Sequence, residues 1–206
     1  ELIVGSVNGY GSTGPYVDRP SFDFIAQAMS GFMSLTGEID GEPMRAAPPI
    51  ADLIAGLYCA FGVVTAIAAR NRTGEGQYVE ASLNNSLISL MAFLSAEYFA
   101  TGKPPARSGN NHAIVAPYGM FKAKDGAIAV APSNETYAIR FLDAIGLGEL
   151  MDDERFCTNA DRMRNRSELL VIIDAATEKE TVDHWIETIN AAGCPCGRVM
   201  TLDEVF

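Results

Sequence analysis

From Leu53 to Ala69 the chain runs for 17 residues without a charge, and the residue at the head of that run is an aspartate, Asp52. About 17 residues is the lower limit for a membrane span. The run is rich in Ala and Gly rather than Leu, and Pro48, Pro49 and Asp52 stand at its entrance. A helix apolar on every side belongs either in a membrane or inside a larger protein. The flanking segments have the texture of soluble strands and turns, so the sequence predicts a buried helix of a soluble protein from about Ile50 to Arg70. Proline fits the first turn of a helix, where its missing N–H has no partner to lose. Arg70 and Arg72 suit the negative end of the helix dipole.

With 206 residues the chain makes one sizeable domain or two small ones. Its net charge of -11 argues against a nucleic-acid surface, which needs a basic stripe to displace counterions. A local basic pocket for a phosphorylated ligand stays compatible with that charge. Of the four cysteines, Cys59, Cys157, Cys194 and Cys196, the last two form a C-x-C spacing that matches no common zinc or dithiol motif. They read as small buried thiols in a reducing compartment, hence a cytoplasmic protein without a metal. The chain opens at Glu1 in what reads as a strand already under way, with no basic and apolar leader, and is expected to be a piece excised from a longer protein.

The local patterns predict a strand at Leu2–Val7, a glycine- and proline-rich loop, and a helix carrying Phe22, Ile25, Ala26, Met29 and Met33 that stops at Gly37. A strand over "QYVEASL" follows the long helix. A further helix reaches Gly102 with Asn84 or Asn85 as its N-cap. After Arg107 the texture changes to a hairpin around "KDG". Helices come next at about Asn134–Ile145, Arg166–Thr177 and Thr181–Ala191, the last capped by Thr181, and "GCPCGRVMTLDEVF" reads as a strand leading into a new helix. The expected organisation is an α/β chain of two parts, 1–107 and 108–206.

Asp52 is the first candidate for chemistry. In the first helical turn it faces free backbone N–H groups and the positive end of the dipole, both of which favour its ionised form. An acid there is commonly no more than a cap. Ala51, Ala55 and Gly56, however, are expected to leave open space beside it, and an anionic, reachable carboxylate is able to act as a covalent nucleophile. Asp23 is a second acid inside an apolar pattern, either a core-edge cap or a site residue, and Gln27 shares its helical face. The spacing Gly9–Gly11–Gly14 resembles a dinucleotide fingerprint, but a proline follows the third glycine and no acid ends a second strand about 20 residues on. His112 lies on a loop beside the hairpin, and His184 on an amphipathic helix surface.

Two stretches carry a family resemblance: "GYGSTGPYVDRPSFDFIAQAMSGFMSLTG" and "GEPMRAAPPIADLIAGLYCAFGVVTAIAARNRTGEGQYVEASL". With "GNNHAIVAPYGMFKAKDGAIAVA", "DERFCTNADRMRNRSELL" and "AAGCPCGRV" following in order, the chain strongly resembles the class III CoA-transferases. This is the CaiB/BaiF family, which includes formyl-CoA transferase and carnitine CoA-transferase. The resemblance covers essentially the whole chain. It implies the middle of a Rossmann-like large domain, then a small α+β domain with a short antiparallel sheet, from a protein about twice as long that forms an interlocked homodimer. The coenzyme A contacts would then lie mostly in the preceding, N-terminal part.

The resemblance further implies that Asp52 is the nucleophile of an acyl-CoA:carboxylate CoA-transferase. Coenzyme A enters as a substrate thioester, no cofactor is held permanently, and the partners are an acyl-CoA and a small carboxylic acid. Tyr10, Phe22, Asp23, Gln27, His112 and Tyr118 are the candidates for the substrate pocket. Some relatives are instead 2-methylacyl-CoA racemases, with a histidine where this chain has Phe22; a phenyl ring takes no proton, which favours transfer. A non-catalytic scaffold is the third alternative. "GNNHAIVAP" lacks the glycine-rich loop of formyl-CoA transferases, which points away from formate and oxalate and toward a dicarboxylic acid such as succinate.

Overall fold

The computed structural model describes all residues, 1–206, as two compact units, Glu1–Gly109 and Asn110–Phe206. In the first, β1 (Ile3–Asn8) pairs in parallel with β2 (Gln77–Ser82), with Ile3 opposite Gln77 and Asn8 opposite Ser82. Parallel neighbours need a long crossover. Here it contains α1 (Asp23–Met29), α2 (Phe32–Leu35) and α3 (Ile50–Thr73). The single helix expected from Phe22 to Gly37 is broken, because Gly31 adopts φ 89°, a left-handed conformation that ends one helix and starts the next.

α3 runs 24 residues and stops at Gly74, whose φ of 76° forms the left-handed C-cap. By length and composition it is able to cross a membrane. Within this chain only one side of it is buried. The small residues Ala51, Ala55, Cys59 and Ala66 are buried, whereas Leu53, Leu57, Phe61 and Val64 are exposed within this chain. The small face is what lets α3 approach the sheet. A Cβ on Gly62 would stand 2.6 Å from Val79 on β2. Ala51 and Ala55 therefore do not open space beside Asp52, as expected from sequence; they join Ala26, Leu83 and Leu87 in a small core.

β2 runs straight into α4 (Leu83–Leu90). The N-cap is Ser82, whose hydroxyl accepts the Asn85 N–H at 3.3 Å, and not Asn84 or Asn85. The helix expected to reach Gly102 is interrupted at Met91 and resumes as α5 (Ala92–Thr101), with Ala92 at φ 44°. The start of β2 is sterically tight: a methyl group on Gly76 would lie 2.0 Å from the carbonyl oxygen of Leu2. Backbone has to move to admit it, so Gly76→Ala is expected to destabilise the first unit by about 2 kcal/mol, within the ordinary range for overpacking. The denaturation midpoint in urea, followed by circular dichroism, measures it.

The second unit is built on β3 (Gly119–Ala123), β4 (Gly126–Val130) and β5 (Cys196–Arg198), all antiparallel, in the order β3-β4-β5. The β3–β4 hairpin turns at Lys124–Asp125, as "KDG" predicts. Phe121 and Ile128 point from this sheet into a core with Phe141, Leu169, Ile173 and Trp185. That core is closed by α6 (Glu135–Ala144), α8 (Arg166–Thr177) and α9 (Val182–Ala191); α7 (Asn159–Arg164) precedes α8, and α10 (Leu202–Val205) ends the chain. Three of these helices start on side-chain caps, Asn134, Thr158 and Thr181. Cys59 and Cys194 are buried as expected, Cys196 is half-buried, and Cys157 is exposed. Burial pushes the Cys194 and Cys196 thiols up to about 11.

Candidate active site

The two prolines that start α3 leave its first turn without a cap of its own. Pro49 is the N-cap residue and has no side-chain acceptor to offer. The open N–H groups are met from other places. The Ile50 N–H reaches the Pro48 carbonyl at 2.8 Å and the Leu53 N–H reaches Pro49 at 3.1 Å. The Ala51 N–H donates at 2.8 Å to Oδ1 of Asp23, on α1, which is 28 positions away in sequence.

Asp23 is thus the cap of α3, supplied by another helix. Its second oxygen, Oδ2, accepts from Gln27 Nε2 at 2.8 Å, the pairing expected of two residues four apart on one helical face. Gln27 is fully buried, and its own Oε1 accepts the Ala46 N–H at 2.8 Å. Both side chains are spent on backbone and on each other inside the unit. Asp23 and Gln27, both expected from sequence to line a substrate pocket, are buried in this chain against the first turn of α3 and the segment that enters it.

Asp52 is in a different condition. Its carboxylate is exposed in this chain and takes part in no hydrogen bond or ion pair, and its own N–H is the first-turn donor that no protein acceptor meets. Gly56, one turn on along the same face, has no other group within 4 Å of where a Cβ would stand. Its neighbourhood is open on the side of Gly56 and closed on the side of Ala51 and Ala55. Phe22, at the entrance of α1, is 80% exposed.

The loop after β1 is held by Glu80, which sequence reasoning did not single out. A charged residue within the alternating strand "QYVEASL" was the available signal. Asn8 and Ser12 both donate side-chain hydrogen bonds to the Glu80 carboxylate, the latter at 2.7 Å, and the Gly11 N–H donates to Asn8 Oδ1. Tyr10 rides on this loop with its ring edge-on to Tyr16, centroids 5.5 Å apart, and Arg19 lies 4.1 Å over the Tyr16 ring. The Ser12 hydroxyl first, and then the Asn8 amide, hold the Glu80 carboxyl below its usual range. A depressed folded value stabilises the loop above the unfolded value, about 4.3, and the effect is lost as pH falls through the folded one. Amide protection of Gly9–Ser12 in hydrogen exchange is therefore expected to fall below about pH 4. Glu80→Gln is expected to lower that protection at neutral pH and flatten its pH dependence.

His112 and Tyr118 belong to the second unit, where their ring centroids are 5.1 Å apart. His112 Nδ1 accepts the Ile114 N–H at 3.3 Å, and Arg166 Nη2 donates to the His112 carbonyl at 2.8 Å. Burial lowers the pKa of that guanidinium. Tyr118 lines a cavity of about 460 Å³ with Asn110, Asn190 and Cys196.

Comparison with known proteins gives this arrangement a family. The model of CoA-transferase family III matches residues 1–206, and the chain belongs to that family. It is 35% identical over 206 residues to succinate--glutarate CoA-transferase of Agrobacterium fabrum, covering 100% of this chain and 52% of the relative. It is 37% identical over 204 residues to acetyl-CoA:oxalate CoA-transferase of Acetobacter aceti, covering 98% of this chain and 52% of that one. A crystal structure of a CaiB/BaiF family protein from Brucella suis superposes with a TM-score of 0.83 at 36% identity, over 100% of this chain and 54% of that one. The chain thus spans about half the length of the relatives it matches. The α/β class expected from sequence, with a parallel and a short antiparallel sheet, is the fold observed.

Proposed function

We propose that the protein moves coenzyme A from an acyl-CoA to a small carboxylic acid, with Asp52 as the covalent nucleophile. The observation that carries this reading is the division of labour at the start of α3: Asp23 does the capping, and Asp52 has no structural partner. A carboxylate left unpaired in the first turn of α3, beside an open glycine, is available to a reactant. Residues 1–107 are read as part of the large domain and residues 108–206 as the small domain.

The chemistry balances without an external acid or base. An oxygen of Asp52 attacks the thioester carbonyl, the C–S bond breaks, and a mixed anhydride and the CoA thiolate result. The thiolate attacks the Asp52 carbonyl carbon and expels the donor as its carboxylate, leaving Asp52 as a CoA thioester. The acceptor carboxylate attacks that thioester, thiolate leaves again, and its attack on the acceptor's carbonyl carbon releases the new acyl-CoA and the free Asp52 carboxylate.

The names of the relatives support a dicarboxylate substrate, succinate or glutarate in one and oxalate in another, so they do not support setting oxalate aside. Phe22 supports transfer over racemisation, since it replaces the histidine a racemase uses as a base. A cytoplasmic homodimer is the assembly proposed, in which the exposed apolar side of α3 is interior surface.

The test is a covalent trap on the protein at its full natural length. It is incubated with a panel of acyl-CoAs, quenched with hydroxylamine or borohydride and digested, and the Asp52 peptide is weighed by mass spectrometry. A modified Asp52 that disappears in Asp52→Ala supports transfer, and the most effective acyl-CoA identifies the donor. No adduct, together with exchange of the proton beside the thioester in deuterated water, moves the assignment to a racemase.

A further inference from the structure

We infer that Asp23 and Gln27 are positioning residues for Asp52, a buried relay from the Ala46 N–H through Gln27 and Asp23 to the Ala51 N–H that fixes the first turn of α3 without touching substrate. The inference rests on the functional reading above and adds to it the residues that aim the nucleophile.

The relay has a strict polarity. Gln27 Oε1 accepts from Ala46, Gln27 Nε2 donates to Asp23 Oδ2, and Asp23 Oδ1 accepts from Ala51, each at 2.8 Å. It ties together two things that set where Asp52 stands: the segment entering α3, at Ala46, and the peptide immediately before Asp52, at Ala51. Pro48 and Pro49 between them have no N–H with which to anchor the turn from within. Gln27 is fully buried and Asp23 is 9% exposed, so neither has surface to offer a ligand. The relay also selects which donor remains: Asp23 takes the Ala51 N–H and leaves that of Asp52 without a protein acceptor. Buried charge-assisted hydrogen bonds of this kind hold geometry tightly, and a displacement of about 1 Å at a reacting group costs about 10²-fold in rate.

The polarity makes the inference testable by exchange. Asp23→Asn turns one oxygen into an NH₂ group, so one of the two acceptors is lost whichever way the amide faces. Gln27→Glu sets two carboxylates against each other. The double variant Asp23→Asn/Gln27→Glu restores all three bonds: the new amide oxygen accepts from Ala51, its NH₂ group donates to the new carboxylate, and that carboxylate's other oxygen accepts from Ala46. Only the longer 3.5 Å contact of residue 27 to the Ala46 carbonyl is lost.

The full-length protein and these three variants are compared for kcat, KM, Tm and rate of Asp52 labelling by acyl-CoA. Each single variant is expected to lower kcat and the labelling rate about 10²-fold with KM within about threefold, and the double variant to return both rates to within about fivefold of the starting protein. A folded Asp23→Asn protein with undiminished kcat and labelling overturns the inference alone. So does a rise in KM at unchanged kcat, which would make Asp23 a substrate contact. Recovery of Tm without kcat in the double variant also overturns it, leaving a merely structural bond. Absence of any Asp52 adduct in the unaltered protein overturns the functional reading itself, and the inference with it.

Discussion

Asp52→Asn is expected to lower the rate of CoA transfer by about 10⁴-fold or more, the order lost when an enzyme that works through a covalent intermediate is deprived of its nucleophile. The amide keeps the shape of the side chain but cannot form the anhydride or carry CoA as a thioester. Its stability is expected to be nearly unaffected. The carboxylate makes no hydrogen bond or ion pair, so what remains to lose is its attraction to the helix dipole, about 0.5 kcal/mol. For a protein of this size that moves Tm by roughly 2 °C or less. Had Asp52 been the cap of α3, its replacement by a residue that cannot cap would cost about 1–2 kcal/mol and leave the rate open to a purely structural explanation. Rate and Tm measured on Asp52→Ala, which cannot cap, therefore separate the roles: a lost rate with a kept Tm is a nucleophile, and a kept rate with a lowered Tm is a cap. The same pair applied to Asp23 should behave in the opposite sense on Tm, because its carboxylate is committed to Ala51 and Gln27.

What the sequence makes legible here is whatever a short window decides. The hairpin at Lys124–Asp125, the span of α8 and the Thr181 cap of α9 each follow from residues within a few positions of one another. The start of α3 is legible for the same reason, since Pro48 and Pro49 announce it. The side α3 buries is not. A run that is apolar all round carries no directional signal, and only the packing shows that Ala51 and Ala55 face α1 and α4 and Cys59 and Gly62 the strands, while Leu57 and Phe61 are exposed within this chain. The cap of α4 lies two or three residues before the asparagines that the sequence offers, because β2 passes into the helix with no turn and Ser82 serves as last strand residue and N-cap at once. At the candidate site Asp52 stood out as an acid at the head of an apolar run. The identity of its neighbour's partner did not, since the Ala51 N–H lies 28 residues from Asp23 and a backbone group leaves no mark in a sequence. Family resemblance supplied the chemistry, and the hydrogen-bond pattern supplies a reason for which of two carboxylates is free.

The largest stability effect is expected in the second unit, at Arg162, whose burial no local sequence signal marks. Its side chain is 1% exposed. Nε donates to the Ala116 carbonyl at 2.7 Å, Nη1 to the Phe156 carbonyl at 2.9 Å, and Nη2 to Glu135 Oε2 at 2.6 Å. Three separate segments of the second unit thereby meet on one guanidinium. Arg162→Ala is expected to cost about 3–5 kcal/mol, because it leaves a cavity and two buried carbonyls without donors. Glu135 is half exposed, so Glu135→Gln keeps an acceptor oxygen and a hydrated environment, and is expected to cost only about 1–2 kcal/mol. Trp185, the chain's only tryptophan, is buried in the core of this unit and reports both by fluorescence during chemical denaturation. Loss of the two backbone bridges predicts that the arginine variant is the worse by at least about 1 kcal/mol. Equal losses would instead place the stabilisation in the charge pair with Glu135 rather than in the two backbone bonds.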